Sequence, residues 1–415
     1  MFLLKGEWYD FRDLTNPIRS LLDDLGLPGD ADYVIWSLLG GAGILLWLIL
    51  SVLAFIWIER RVVALMQNRK GPNRVGPAGL LQPVADALKL LLKEAITPRA
   101  TDKYVFWLGP VLIFIPTVVV FAVIPFGERM ALADLNVGVL FLIAIAGINT
   151  PAVFMAGWAS NNKYALLGAM RVIAMLISYE VVQVLALLGP VILVGSMRMQ
   201  DVVGWQDEFN TPLLLLQPLC FAAYLIAGAV EINRSPMDIS EAESELAAGY
   251  HTEYGGIKFG FFYQAEYLAG FAVAATAVTV FLGGWTLWGL EDYIPGWIIF
   301  LSKLYITFFV YIWSRGTLPR LRIDQLMAFA WKFMLPLMVL NVLAVGAEIM
   351  VWHETEASRN VALPAIGAVN AALALVLVVG WGRFLGHGTG SQKGHRATLT
   401  REVGKIYYTG AEASS

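Results

Sequence analysis

The sequence predicts an all-α polytopic membrane helix bundle of about nine transmembrane helices, with an interfacial amphipathic helix in its first cytoplasmic loop. Three observations predict it. Hydrophobic residues make up 58% of the 415 positions and charged residues only 15%. The mean hydropathy is +0.65. Apolar runs long enough to cross about 30 Å of hydrocarbon, roughly 20 residues each, recur along the whole chain. A soluble domain carries about a quarter charged residues, so this apolar excess belongs in lipid. The net charge of -3 offers no field for nucleic acid. Cys220 is the only cysteine, which excludes an intrachain disulfide and any all-cysteine metal or iron–sulfur site. His251, His353, His387 and His395 never stand four apart, so no haem or metal cage is expected. No cofactor is expected in this chain, and any redox group nearby should belong to another.

The N-terminal stretch 1–32 carries Glu7, Asp10, Asp13, Asp23 and Asp24 before the first apolar run. That is unlike a cleavable signal, and it reads as an outward-facing extension. Candidate spans follow near 34–58, 104–126, 135–159, 166–194, 213–232, 259–288, 295–314, 331–352 and 361–381. Tryptophans such as Trp57, Trp107, Trp158, Trp297, Trp313 and Trp352 sit at span ends, where an interfacial belt places them. Lys and Arg crowd one set of loops: 60–103, Lys163, Arg234, Lys258, Arg315, Arg320, Arg322 and the C-terminal tail. The other set holds only Lys5, Arg12, Arg19, Arg129, Arg198 and Arg359. The first set is therefore expected in the cytoplasm and the N-terminus outside. Three regions result: the extension 1–32, an eight-helix membrane domain 33–352, and an extra span with a basic cytoplasmic tail, 353–415. No internal repeat suggests an inverted-repeat transporter.

Distinctive polar sequence is concentrated in the cytoplasmic loops. The first reads ERRVVALMQNRKGPNRVGPAGLLQPVADALKLLLKE. From about Pro83 it becomes helical, with Leu80, Val84, Leu88 and Leu91 on one face and Gln82, Asp86, Lys89 and Lys93 on another. A helix this short and charged should lie in the interface plane, where it frames a doorway for a lipid-soluble molecule. Spacing alone equally allows a surface helix that the Asp86–Lys89 pair merely solubilises.

Inside the span near 166–194, Arg171 is near enough to an end to snorkel, whereas Glu180 is central. Nine positions separate them, about 900° of rotation, so they face opposite ways. A carboxylate at that depth costs roughly 2.5–3.5 kcal/mol and needs a partner, a hydrated cavity or a proton. The loop EINRSPMDISEAESELAAGYHTEYGG holds Glu231, Asp238, Glu241, Glu243, Glu245 and Glu253, with Glu266 two turns into the next span. Ser240 and Glu243 form a capping box that should start a short helix, with Asp238, Glu241 and Glu245 on one side. Crowded, buried acids raise one another's affinity for protons. A helix dipole accounts for Glu241 and Glu243, but not for Glu231 and Glu266, which belong to spans. The cluster reads as a proton-handling entrance. The stretch SRGTLPRLRIDQLM, with Arg315, Arg320 and Arg322, fits an ordinary positive-inside anchor. Lys303, in mid-span, requires a counter-ion or a polar cavity.

Four stretches together resemble the complex I subunit 1 family, whose bacterial form is the H subunit of NADH:quinone oxidoreductase. They are 59–94 (ERR…KLLLKE), 160–180 (SNNKYALLGAMR…SYE), 231–256 (EINRSPMD…HTEYGG) and 318–332 (LPRLRIDQLM…WK). The resemblance spans roughly 34–352. It implies a multi-pass bacterial inner-membrane subunit at the joint of the two arms of a proton-translocating complex, forming the wall and mouth of a quinone chamber. It implies quinone as substrate, and lipid and other complex I subunits as partners. Those include the hydrophilic-arm subunits that carry the flavin and the terminal iron–sulfur cluster, and the small membrane-arm subunits. Carried over by motif, the family's acidic funnel becomes Asp86, Glu180, Glu231, Glu241, Glu243, Glu245, Glu253 and Glu266. Its chamber-lining cations become Arg60, Arg61, Arg74, Arg171, Arg315 and Arg320. Met237 stands where the family usually has Phe, and Ser240 where Pro or Ala is commoner. The extra span and both extensions depart from the usual eight-span plan. Two alternatives remain: the anchor of a related membrane-bound hydrogenase or formate hydrogenlyase, and a self-sufficient proton transporter.

Overall fold

A computed structural model describes residues 29–128, 130–234, 237–238, 248–289, 293–355, 359–388, 400–402 and 405–407. Glu241, Glu243, Glu245 and the short helix expected at Ser240 lie outside the described residues, as do most of the 1–32 extension and most of the tail. Among the described residues, eight helices are long and apolar enough to cross a membrane.

The helices, in chain order, are α1 (Gly29–Met66), α2 (Gln82–Leu92), α3 (Lys103–Val119), α4 (Gly138–Ala146), α5 (Asn149–Ala159), α6 (Lys163–Val194) and α7 (Met199–Glu208). After them come α8 (Leu213–Leu216), α9 (Pro218–Glu231), α10 (Ile257–Phe281), α11 (Gly296–Thr317), α12 (Ile323–Ala328), α13 (Leu335–Thr355) and α14 (Arg359–Gly388). A small antiparallel hairpin, Thr400–Glu402 with Lys405–Tyr407, lies in the tail.

Several boundaries differ from the sequence expectation, each for a local reason. The first helix runs on to Met66, so Arg60 and Arg61 ride on it rather than in a loop. The run 135–159 breaks between α4 and α5 at Gly147–Ile148. The expected span 213–232 is two pieces, because Gln217 leaves helical geometry (φ -135, ψ 63) and Pro218 starts α9 without an N–H to offer the preceding turn. The sixth span stops at Phe281, where Gly283 and Gly284 adopt left-handed backbone (φ 75 and 52). The eighth starts at Ile323 and passes through a π-helical stretch, Phe329–Met334, before α13.

Helix α10 is the axis of the bundle: 83% of its apolar window is inside, against 22% for α1. Around it pack α3, α9, α11 and α1, while α6 backs onto α9, α5 and α13. Phe271 on α10 stacks on Phe308 of α11 at 4.5 Å and meets Phe55 of α1 edge-on at 5.2 Å. Small residues let the backbones approach, as packing between membrane helices requires. A Cβ on Gly228 would lie 2.3 Å from Val273.

Lys303, anomalous in mid-span, is accommodated by backbone carbonyls. Its ammonium donates to those of Leu282 (2.6 Å), Gly284 (3.2 Å) and Thr286 (2.5 Å). These are the loose carbonyls beyond the C-terminus of α10, which favours a cation. Amphipathic α2 keeps its apolar side outward, with Leu88 53% and Leu91 59% exposed, as a helix resting in the interface does.

A leucine at Gly168 should destabilise the fold. The Cβ alone would lie 2.8 Å from the backbone of Gly249, and overpacking of this kind costs about 1–3 kcal/mol. Thermal melting of the solubilised protein should drop for Gly168→Leu. It should hardly change for Gly204→Ala, where nothing stands within 4 Å.

Candidate functional site

Two adjoining features, where the C-terminal ends of α1 and α9 and the N-terminal part of α10 meet the middle of α6, concentrate buried polar groups. The first is a cavity of about 60 Å³ lined by Glu180 and Gln183 of α6, Glu231 of α9, Glu266 of α10, Asn149 and Asn233. Local sequence builds it. Glu180 and Gln183 are three apart, hence on one helical face. The break at Gly147 lets α4–α5 pass close to Glu180, since a Cβ there would sit 2.7 Å from Glu180 Oε1. Gln183 Nε2 donates to Glu231 Oε2 at 2.9 Å. The side-chain oxygens of Asn149 and Asn233 are buried and accept no hydrogen bond among the described residues. The rest of the wall is mostly apolar, but a space this size has room for a few water molecules, which need polar partners such as these orphan acceptors. A smaller pocket shares Gln183 and Glu231 and extends toward Tyr224 and Thr276.

The second feature is an ion cluster. Glu59, 4% exposed, receives Arg234 Nη1 at 2.6 Å and Tyr267 OH at 2.8 Å, and it also pairs with Arg315. The Arg234 guanidinium lies 4.3 Å over the Tyr267 ring. Helix α9 delivers Arg234 there through its ending. Asn233 takes left-handed backbone (φ 51), an ordinary helix stop, and the Arg234 amide folds back onto the Ala229 carbonyl at 3.2 Å. Burial draws the Arg234 guanidinium down, but Tyr267, Glu59 and then Glu266 outweigh it and hold it above the ordinary arginine value. One carboxylate thus faces two guanidiniums, with the charge of Glu266 acting from the cavity side.

Arg60, beside Glu59, turns outward and binds Asp86 of α2 at 2.5 Å. Lys89 approaches the same carboxylate at 3.8 Å. Burial works to raise the Asp86 carboxyl, yet Arg60, Gln82 and Lys89 together bring it below the usual carboxylate range. Arg61 lies over Trp57 at 5.2 Å. Trp57 Nε1 donates to the Ala78 carbonyl at 3.2 Å, so α1 and the loop before α2 are tied by neighbouring contacts.

Of the residues singled out from sequence, Glu180, Glu231 and Glu266 share the cavity, Arg315 joins the ion cluster, and Asp86 with Arg60 forms the α1–α2 bridge. Glu253 lies apart: it accepts from Asn162 Nδ2 at 2.8 Å, and Asn162 also caps the start of α6. Arg320 reaches the carbonyl of Asp238. Arg74 is exposed. Arg171 is half-buried on α6 and does not line the cavity.

Sequence reasoning passed over Glu59, Gln183, Asn149 and Tyr267. A signal existed for Glu59, an acid standing one residue before two arginines at the end of an apolar run. None existed for Gln183 or Asn149, whose relevance is purely spatial. Lys258 is 1% exposed, bonded to Thr97 Oγ1 at 2.8 Å and seated over Trp107 at 3.9 Å.

A sequence model of the NADH dehydrogenase family matches residues 40–346. The H subunit of the NADH-quinone oxidoreductase of Dehalococcoides mccartyi (strain CBDB1) is 48% identical over 344 residues, 83% of this chain and 94% of the relative. The H subunit of the same enzyme from Geobacillus kaustophilus (strain HTA426) is 47% identical over 317 residues, 76% of this chain and 94% of the relative. One such H subunit of Geobacter metallireducens is 46% identical over 313 residues, 73% and 93%.

The buried imidazole of His251 sets a pH dependence. Burial pushes it down to about 3 from 6.5, and its ring rests on Tyr250 at 3.7 Å. A group depressed in the folded state takes up its proton more readily when unfolded. It therefore contributes stability above pH 6.5 that is lost as pH falls toward 3. Between about pH 7 and pH 5 the melting temperature should fall less for His251→Gln than for the parent.

Proposed function

The chain belongs to the NADH dehydrogenase family, and we propose on that premise that it forms the quinone-facing membrane wall of a proton-translocating NADH:quinone oxidoreductase. The observation that carries this reading is the gathering of Glu180, Glu231 and Glu266 around one cavity beside a buried carboxylate–guanidinium cluster. Intramembrane acids facing a polar interior mark proton routes.

In this reading a quinone enters from the bilayer beneath α2, whose outward leucines face acyl chains. Its headgroup meets the cationic mouth around Arg60, Arg61, Arg234 and Arg315. Reduction of a quinone draws two protons. A change of charge at the mouth acts through Arg234 on Glu59 and Glu266, and the cavity acids pass the change into the membrane. Asp86 fixes Arg60 at the doorway. Glu253 belongs to the cytoplasmic lip, as do Arg74 and Arg320, with Arg171 on the outer flank of α6.

The electrons come from an iron–sulfur cluster held by a partner subunit. Flavin likewise belongs to the hydrophilic arm. The small subunits of the membrane arm continue the acidic route. We place the chain in a bacterial inner membrane with its polar loops cytoplasmic, following the Lys and Arg asymmetry. The relatives named above are oxidoreductase subunits, which weighs against the hydrogenase-anchor reading.

Glu180→Gln and Glu231→Gln should leave the complex assembled on native gels while lowering coupled quinone reductase activity about tenfold or more. Parental turnover in both variants would refute the acid route. Val84→Trp, on the apolar side of α2, should raise the apparent KM for long-tailed quinones several-fold more than for short-tailed ones. Equal shifts would remove the doorway. A reporter fused after Ser415 should be cytoplasmic, since nine crossings separate it from an outward N-terminus.

A further inference from the structure

Helix α14 lies beyond the family-matched segment, which ends at 346, and it carries its own intramembrane polar contact. Asn370, 2% exposed, donates from Nδ2 to Oε2 of Glu348 on α13 at 2.8 Å. The other two oxygens of this pair, Glu348 Oε1 and Asn370 Oδ1, are both enclosed and make no hydrogen bond among the described residues. With an ionised carboxylate both atoms are acceptors, so neither could serve the other. Two orphan acceptors at one contact in hydrocarbon are costly.

A single proton resolves both. On Glu348 Oε1 it supplies a donor for Asn370 Oδ1, and the acid and the amide then close a planar ring of two hydrogen bonds. We infer that Glu348 is held as the neutral acid, in an acid–amide pair with Asn370 that fastens α14 to the bundle.

The fastening has a definite target. Helix α14 packs on α8, α9 and α13, directly over the place where the fifth span is broken. Leu363, Ile366 and Asn370 repeat at helical spacing and are 8%, 6% and 2% exposed. A Cβ on Gly367 would lie 3.4 Å from the Leu215 carbonyl and 3.5 Å from the Leu216 side chain. Broken backbone at membrane depth is tolerated only when protein covers it. Here α14 covers the turn at Gln217, and the Glu348–Asn370 ring fixes the covering helix in register. The outer side of α14, with Val361 65% and Val376 65% exposed, meets lipid.

The test uses the full chain in native membranes. Leu216→Cys and Gly367→Cys are paired in a Cys220→Ser background, and disulfide formation across α8 and α14 is followed. Glu348→Ala and Asn370→Leu should slow cross-linking roughly five- to tenfold, the effect of losing two modest intramembrane hydrogen bonds. Glu348→Gln should leave the rate near parental, because an amide pair closes the same ring. Unchanged rates in Ala and Leu, or a loss in Gln, overturn the fastening. Infrared difference spectra of parent minus Glu348→Gln decide the protonation independently. A protonated-carboxyl C=O band that moves in heavy water is expected. Carboxylate bands alone overturn the neutral acid.

Discussion

A carboxyl group within hydrocarbon must be paired, hydrated or protonated, and the arrangement of this bundle depends on how each of its buried acids meets that condition. Glu59 meets it with two guanidiniums and a phenol. Glu180, Glu231 and Glu266 meet it by surrounding a shared cavity. Glu348 has an amide from the last helix. No two of these solutions can be exchanged. A cation beside Glu231 would pin its charge, and a cavity beside Glu59 would release Arg234 and Arg315 from their partner. The distribution separates a carboxylate–guanidinium cluster around Glu59 from a set of acids that share a cavity beside it.

Departures from ideal helix coincide with the polar positions. The α4–α5 break lies against Glu180, the Asn233 turn brings Arg234 back to Glu59, and the π-helical stretch of the eighth span holds Trp331, which donates to Ser178 at 3.0 Å. Tyr179, between Ser178 and Glu180, donates to the Leu326 carbonyl at 2.9 Å. The eighth span is thus fastened to the helix that carries the central acid. Irregular backbone is sustainable in a membrane only inside protein, and here it is placed where it frees a face or turns a side chain toward the site.

The elements at the mouth are joined by charge and stacking rather than by apolar burial. Arg60 and Asp86, Trp57 and the Ala78 carbonyl, and Lys258 and the Thr97 hydroxyl each bind a loop or interfacial helix to a span. Contacts of this kind hold position without sealing the surface to lipid.

Composition and hydropathy alone determined that this is a helical membrane protein with an interfacial α2. Period and depth marked Glu180, Glu231 and Glu266 as exceptional, and the four quoted stretches pointed to the family. Those properties are local: an apolar run of sufficient length crosses a bilayer whatever its neighbours, and an acid inside such a run is anomalous on its face. Tertiary structure decided what each acid faces. Glu180 and Glu231 lie 51 positions apart in sequence, and nothing in either segment states that Gln183 will bridge toward Glu231 or that Gly147 will pass close to Glu180. The pairing of Glu59 with Arg234 and Arg315, across separations of 175 and 256 residues, was likewise unreadable. So was the split of the fifth span, which needs Pro218 and also a helix from the far end of the chain to cover the exposed turn. Sequence prescribes which groups are intolerable in lipid; only the packing of distant helices determines how they are accommodated.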